Sequence, residues 1–193
     1  MMYEIIFYGR GGQGGVTAAN ILVFAALKQG LHGQGFPFFG AERRGAPVLA
    51  FARISDKPIL RHGMFYETDI LLVLDRKLID IGVTKRVKVR DNGVIVINAP
   101  HDYKLDLEKL SLEGKARIYQ VDAKKIALEH NLIVAGWPVV NTSMLGAFSK
   151  ATGIISIDNI TSAIKEYFSG KIGEINAKAA YQAYNELNLL MEV

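Results

Sequence analysis

The chain has 193 residues, of which 50% are hydrophobic and 22% charged, with a net charge of +4 and no cysteine. That length supplies one sizeable core, and the lack of cysteine excludes disulfides, thiolate nucleophiles and every cysteine-held zinc or iron–sulfur centre. The charge forms no basic tail or aromatic-interleaved basic stripe, so no nucleic-acid surface is read, and no apolar run reaches the roughly 18–20 residues of a membrane span.

The N-terminal run "MMYEIIFYGR" has no charged region ahead of an apolar one. No secretory signal is read there, and the cytoplasm is the expected compartment. Within it, "YEIIFYG" (3–9) predicts a buried strand that ends at glycine. After the glycines, Val16, Ala19, Asn20, Val23, Ala26 and Leu27 fall at helical spacing and Gly30 supplies a stop. "LHGQGFPFFG" (31–40) begins as a second strand and becomes a loop at Pro37. "PVLAFARI" (47–54) predicts a strand, with "KPILRHGMF" as its hairpin partner across the polar turn "SDK".

"DILLVLD" (69–75), "GVIVINA" (93–99) and "ARIYQVD" (116–122) follow as strands, two of them continuous apolar runs of the kind buried on both faces. Weak helical patterning covers 76–89 and clearer patterning 123–130. "NTSMLGAFSKATG" (141–153) predicts a helix with a glycine stop, and "SIDNITSAIKEYF" (156–168) a helix with Asp158 as N-cap. Glu174 to Met191 predicts a closing amphipathic helix. Strands alternating with helices give an α/β fold, one domain over 1–193, with a mostly parallel sheet flanked by helices and a Gly-rich strand-to-helix loop of Rossmann-like kind. The histidines at 32, 62, 101 and 130 have no ligand-like spacing and read as loop or surface residues.

Gly9-Arg10-Gly11-Gly12-Gln13-Gly14 fits G-x-G-x-x-G directly after a strand and ahead of a helix. Glycines there let backbone approach a ligand closely, the helix N-terminus favours negative charge, and Arg10 adds a planar donor fork. The loop therefore suits a phosphate or diphosphate; a tight turn with no ligand is the alternative. An NAD site needs an acid about 20 residues on, at the end of the second strand. That region, "LHGQGFPFF", has none, and Glu42 is the first carboxylate after Glu4. This weighs against NAD, while arginines could still meet the extra phosphate of NADP.

"GFPFFGAERRGAPVLAFARI" (35–54) clusters Phe36, Phe38 and Phe39 beside Pro37, followed by Glu42, Arg43 and Arg44. The aromatics mark core packing or a partner surface, and the isolated chain is expected to self-associate through them. The charged group is a salt-bridged turn, or one arginine faces a phosphate while Glu42 holds the other. Asn98 sits at a strand's carboxyl end, where ligands bind, or is a turn residue before Pro100. Asn141 and Thr142 cap the following helix or reach the ligand. Trp137 and Pro138 read as packing or interface, and Asp75 as an ion-pair partner of the adjacent Arg76.

"GRGGQG", "FPFFGAERRGAPV" and "NTSMLGAF", in this order, resemble the gamma subunit of 2-oxoacid:ferredoxin oxidoreductases over nearly the whole chain. The Glu-Arg-Arg-Gly-Ala-Pro form is similar to the pyruvate and branched-chain branch rather than the 2-oxoglutarate branch; Gly15 stands where relatives often carry a larger residue. The resemblance implies a subunit that is non-catalytic alone, with no tightly bound cofactor and no metal site. It implies thiamine diphosphate between alpha and beta subunits, 4Fe–4S clusters in a delta subunit, and ferredoxin as acceptor. Coenzyme A is then the loop's ligand, with Gly9, Arg10, Gly11, Gly12, Gln13, Gly14, Arg43 and Arg44 as site residues. Two other readings remain at this stage: a structural interaction subunit with an empty loop, and an independent NAD(P)- or flavin-dependent enzyme.

Overall fold

Along β1 (Met2–Arg10), Ile5 and Phe7 turn to one face of a sheet and Ile6 and Tyr8 to the other, and all four are buried. Side chains alternate along a strand, so an unbroken apolar run is stable only where both faces are covered. The computed structural model describes residues 1–37 and 44–193. Phe38, Phe39, Glu42 and Arg43 lie outside the described residues.

After β1 come α1 (Gly15–Lys28), β2 (His32–Pro37), β3 (Pro47–Ser55), β4 (Glu67–Val73) and the short α2 (Lys77–Asp80). A 3-10 turn (Val83–Arg86) leads to β5 (Lys88–Asn98), and a second (Leu107–Lys109) to β6 (Ser111–Leu112) and β7 (Ala116–Val121). Then follow α3 (Ala123–Glu129), the small hairpin β8 (Ile133–Val134) and β9 (Trp137–Pro138), and α4 (Asn141–Thr152), α5 (Ile157–Tyr167) and α6 (Gly170–Glu186). The chain closes with β10 (Asn188–Glu192).

The main sheet runs β10-β7-β5-β4-β1-β3-β2, with β6 beside β5. Its centre, β1, β4, β5 and β7, is parallel as the sequence predicts. Both edges are antiparallel: β3 lies between β1 and β2, and β10 pairs with β7. One face is covered by α1, α3, α4, α5 and α6 through residues such as Ala18, Leu22, Ile126, Phe148, Ile160 and Ala180. The other is covered by α2 and the chain on either side of the second 3-10 turn, through Leu78, Ile79, Ala99, Tyr103 and Leu110. Among the described residues, no helix is long and apolar enough to cross a membrane.

Three expectations are corrected. Residues 57–65 form no strand against β3, because both edges of β3 are taken by β1 and β2. That segment is instead held by the buried Arg53, which donates from Nη2 to the Gly63 carbonyl at 3.0 Å and sits 4.7 Å from the Phe65 ring centre. The N-cap of α5 is Ser156, whose Oγ accepts from the Asn159 N–H at 3.2 Å. Asp158 lies in the first turn, where its charge complements the helix dipole. The final helix stops at Glu186, and the last residues cover the outer edge of β7, pairing backbone groups that an edge strand would otherwise leave open. Phe36 is partly buried and stacks on Phe51 at 5.2 Å against the second core.

Candidate functional site

The parallel neighbours β1 and β4 send their onward chain to opposite faces, β1 into α1 and β4 into α2. Such a divergence opens a crevice beyond the carboxyl ends of the strands, the usual ligand position in open α/β sheets. A cleft of about 400 Å³ lies there, with Gln13, Asp75, Lys77, Asn98, Lys124 and Trp137 among its lining.

The glycine loop meets the cleft through Gln13. The Arg10 amide N–H donates to Gln13 Oε1 at 2.7 Å, and the Gln13 N–H returns a bond to the Arg10 carbonyl at 3.0 Å. Gly11 is tied to the segment before β3, donating to the Ala46 carbonyl at 2.9 Å and accepting from the Gly45 N–H at 3.2 Å. Gly14 opens α1 with φ 80°, a left-handed conformation that glycine adopts without steric cost. Its carbonyl accepts from Asn141 Nδ2 at 3.3 Å, so the first turn of α4 is tied to the loop.

Of the predicted site residues, Gly9 to Gly14 and Arg44 fall at or beside this loop, and Arg43 lies outside the described residues. The Arg10 fork is held within the protein: Nε donates to Asp75 Oδ2 at 2.7 Å and Nη1 to the Gly45 carbonyl at 3.0 Å. Asp75 therefore pairs with Arg10 and not with Arg76, which pairs with Asp80 at 3.0 Å. Arg44 reaches the β8–β9 hairpin, where Nη2 donates to the Ala135 carbonyl at 2.9 Å and the guanidinium lies 5.8 Å from the Trp137 ring centre.

Asn98 lines the cleft with both ends of its amide engaged. Nδ2 donates to the Leu74 carbonyl at 2.9 Å, and Oδ1 accepts from the Lys124 N–H at 3.2 Å. Asn141 Oδ1 accepts from the Thr142 N–H at 2.8 Å, and Thr142 Oγ1 donates to Asn176 Oδ1 at 2.8 Å, so this pair joins helices. Both acids of the cleft have partners: Asp75 as above, and Asp122 as the cap of α3, accepting from the Lys125 N–H at 2.9 Å. Lys77 and Lys124 have no ion-pair partner among the described residues. A cap bond from a neutral N–H leaves Asp122 its charge, so the lining, with Arg76, Lys77 and Lys124 against Asp75 and Asp122, has a formal charge of +1.

The geometry also weighs against NAD. With β3 between β1 and β2, the end of β2 is not beside the loop, and "HGQGFP" carries no acid for ribose hydroxyls. Sequence reasoning missed Lys77 and Lys124. Their signal is position: Lys77 follows the carboxyl end of the apolar strand β4 by four residues, and Lys124 that of β7 by three.

The profile of the pyruvate ferredoxin/flavodoxin oxidoreductase family matches residues 4–186. The pyruvate/ketoisovalerate oxidoreductases common subunit gamma of Thermococcus kodakarensis is 50% identical over 186 residues, covering 96% of this chain and 97% of its own. The pyruvate synthase subunit PorC of Methanothermobacter thermautotrophicus is 49% identical over 189 residues, 98% of each chain. Among solved structures, the pyruvate oxidoreductase subunit PORC of Thermotoga maritima superposes with a TM-score of 0.80 at 31% identity, over 98% of this chain and 99% of its own. A 2-oxoglutarate:ferredoxin oxidoreductase from Magnetococcus marinus, solved with 2-oxoglutarate, coenzyme A and succinyl-CoA bound, shares the fold over 95% of this chain and 30% of its own, with a TM-score of 0.74 at 20% identity. A profile matched over nearly the whole length, and relatives half identical from end to end, show that this chain belongs to the pyruvate ferredoxin/flavodoxin oxidoreductase family, as a gamma-type subunit.

Proposed function

We propose that this gamma subunit supplies part of the coenzyme A site of a cytoplasmic, thiamine-diphosphate-dependent oxidoreductase acting on pyruvate. The assembled enzyme converts the 2-oxoacid and coenzyme A to acyl-CoA and carbon dioxide, passing the electrons to ferredoxin. Alpha and beta subunits hold thiamine diphosphate, and a delta subunit holds the 4Fe–4S clusters, for which this chain has no cysteine ligand. The gamma chain binds the acyl acceptor and joins the complex.

The observation that supports this reading is the cleft at the strand ends, lined by Gln13 of the glycine loop and by Lys77 and Lys124, which have no ion-pair partner among the described residues. An elongated anion such as a diphosphate suits that combination, through loop N–H groups and ammonium charges together. Turnover is expected from the assembled complex and none from the isolated chain. Gln13→Ala and Lys77→Ala complexes are expected to show a raised KM for coenzyme A. A wild-type KM in both, with assembly intact, counts against the reading. One observation favours a purely structural subunit: the Arg10 fork is already engaged by Asp75 and Gly45. The same two KM values decide between the readings, because an empty scaffold predicts no change.

A further inference from the structure

The end of the sheet opposite the cleft, where β3 finishes and β4 and β5 begin, carries the stretch 57–66, which contains no helix or strand. Its shape is fixed from below. The buried Arg53 guanidinium donates to the Gly63 carbonyl and to Gln34 Oε1, both at 3.0 Å, and lies 4.7 Å from the Phe65 ring centre. Gln34 Nε2 in turn lies 3.2 Å from His62 Nδ1. A buried cation is a costly way to hold a surface loop. What the loop presents is apolar: Leu60 is 86% exposed, Met64 49% and Tyr66 40%. Loops held in one shape by a rigid scaffold are where binding residues concentrate. From Ile59 to Tyr66, no backbone N–H donates a hydrogen bond among the described residues.

The charge beside those side chains has one sign. Residues 57–66 and the 3-10 turn Val83–Arg86 contain Lys57, Arg61, Lys85 and Arg86 and no acid. The two pieces meet where the Arg86 guanidinium lies 5.9 Å from the Tyr66 ring centre. None of the four cations has an ion-pair partner among the described residues; the nearby Lys88 and Arg90 hold Glu67, Glu113, Glu4 and Asp69. Exposed apolar groups among charges of one sign suit a macromolecule of the opposite sign. We infer that 57–66 and Val83–Arg86 form the docking surface for another subunit of the assembled enzyme, one that presents an acidic rim around an apolar pocket for Leu60. A permanent subunit suits this face better than a passing one, because the loop is shaped in advance and its exposed groups are apolar. The inference rests on the chain being a gamma-type subunit and not on what the cleft binds, so loss of the coenzyme A reading would leave it standing.

Hydrogen exchange of the isolated full-length chain and of the assembled complex tests the surface. The amides of 59–66 are expected to exchange freely in the isolated chain and about tenfold or more slowly in the complex. Leu60→Asp and Arg61→Glu change exposed side chains, so both isolated variants should melt with the wild-type chain. On dilution of the purified complex, followed by sedimentation, each variant gamma chain is expected to dissociate with a Kd raised about tenfold or more. The wild-type Kd should rise with salt, and the Lys57→Glu, Arg61→Glu double variant should lose that dependence. Amides that stay unprotected in the complex, or a Leu60→Asp chain that assembles like wild type, overturn the docking surface. Wild-type Kd and salt dependence in the double variant overturn the acidic partner. Leu60→Asp complexes that assemble normally but show a raised KM for ferredoxin give the face to a passing electron carrier. Binding of the wild-type chain, and not of Leu60→Asp, to phosphatidylserine vesicles gives it to a membrane. Either result overturns the permanent subunit.

Discussion

Arg10 Nε and Asp75 Oδ2, 2.7 Å apart, join the carboxyl end of β1 to that of β4 across the mouth of the cleft. The same guanidinium holds the Gly45 carbonyl, so one planar fork fixes three pieces of chain. Arg10 therefore shapes the glycine loop from within, whatever the loop binds.

Arg10→Ala is expected to lose about 1–2 kcal/mol of stability, a pair about one-fifth exposed being partly screened. In the assembled enzyme it is expected to raise KM for coenzyme A about tenfold, through the displaced loop. Arg10→Lys should restore only part of either loss, because an ammonium cannot make both fixed contacts. Urea unfolding of the isolated chain and KM of the complex separate the effects. A stability equal to that of wild type would show the pair to be idle.

Gly14 and Asn141 lie in direct contact, and this changes what a substitution at Gly14 tests. The sequence suggests that glycine here lets the backbone approach a ligand. In the structure it would lie 2.5 Å from Asn141 Nδ2, on a residue whose φ of 80° already disfavours a side chain. Gly14→Ala is expected to lose about 2–4 kcal/mol of stability from strain and crowding. In the double variant with Asn141→Ala, the losses should fall short of additive by about 1 kcal/mol. Fully additive losses in denaturant titrations would mean that the two sites do not touch.

Glu4 is buried beneath the sheet's other end, with Oε1 accepting from Arg53 Nε at 2.9 Å and Oε2 from Arg90 Nη2 at 2.6 Å. Burial by itself raises its carboxyl pKa, but the hydrogen bonds and charges of the two arginines outweigh it and hold the pKa below the ordinary value. A group lowered on folding stabilises fully above its unfolded pKa, near 4.3, and that contribution fades as pH falls through the folded value. Glu4→Gln is expected to lose about 3 kcal/mol at neutral pH, because Arg53 is left buried without its partner. Its acid unfolding limb should be shallower than that of wild type. Parallel limbs in the two pH–stability curves would show that Glu4 does not carry this dependence.

Much of the frame was legible in the sequence because its causes are local. Unbroken apolar runs such as "ILLVLD" and "VIVIN" announce strands covered on both faces, and glycines between a strand and a helical pattern place the loop. What was not legible depends on distant partners. The insertion of β3 between β1 and β2 is a choice of pairing, not of propensity. β10 forms because β7 has an open edge, which the tail "NLLME" cannot reveal by itself. The Arg10–Asp75 pair spans 65 residues, and the Asn141–Gly14 bond spans 127. Lys77 and Lys124 come to line one cleft only when the sheet brings the ends of β4 and β7 together.

"NTSMLGAF" shows the same dependence and yields the last prediction. The sequence offers ligand contact or capping for its first residues, whereas the structure makes the whole stretch a packing device. Asn141 holds the loop, Thr142 bonds Asn176 of α6, and Gly146 lies against the backbone of α6. A Cβ on Gly146 would lie 1.8 Å from the Ala180 carbonyl oxygen, a backbone atom that cannot rotate away. The two helices would have to separate, opening the core at Ala147, Ala179 and Ala183. Gly146→Ala is therefore expected to lose about 3 kcal/mol or more, against a helix-propensity gain of about 1 kcal/mol. Ala180→Gly should not rescue it, because the clash is with backbone. Calorimetric melting of both variants and the pair is the measurement. A Gly146→Ala chain as stable as wild type would mean that α4 and α6 do not meet at this residue.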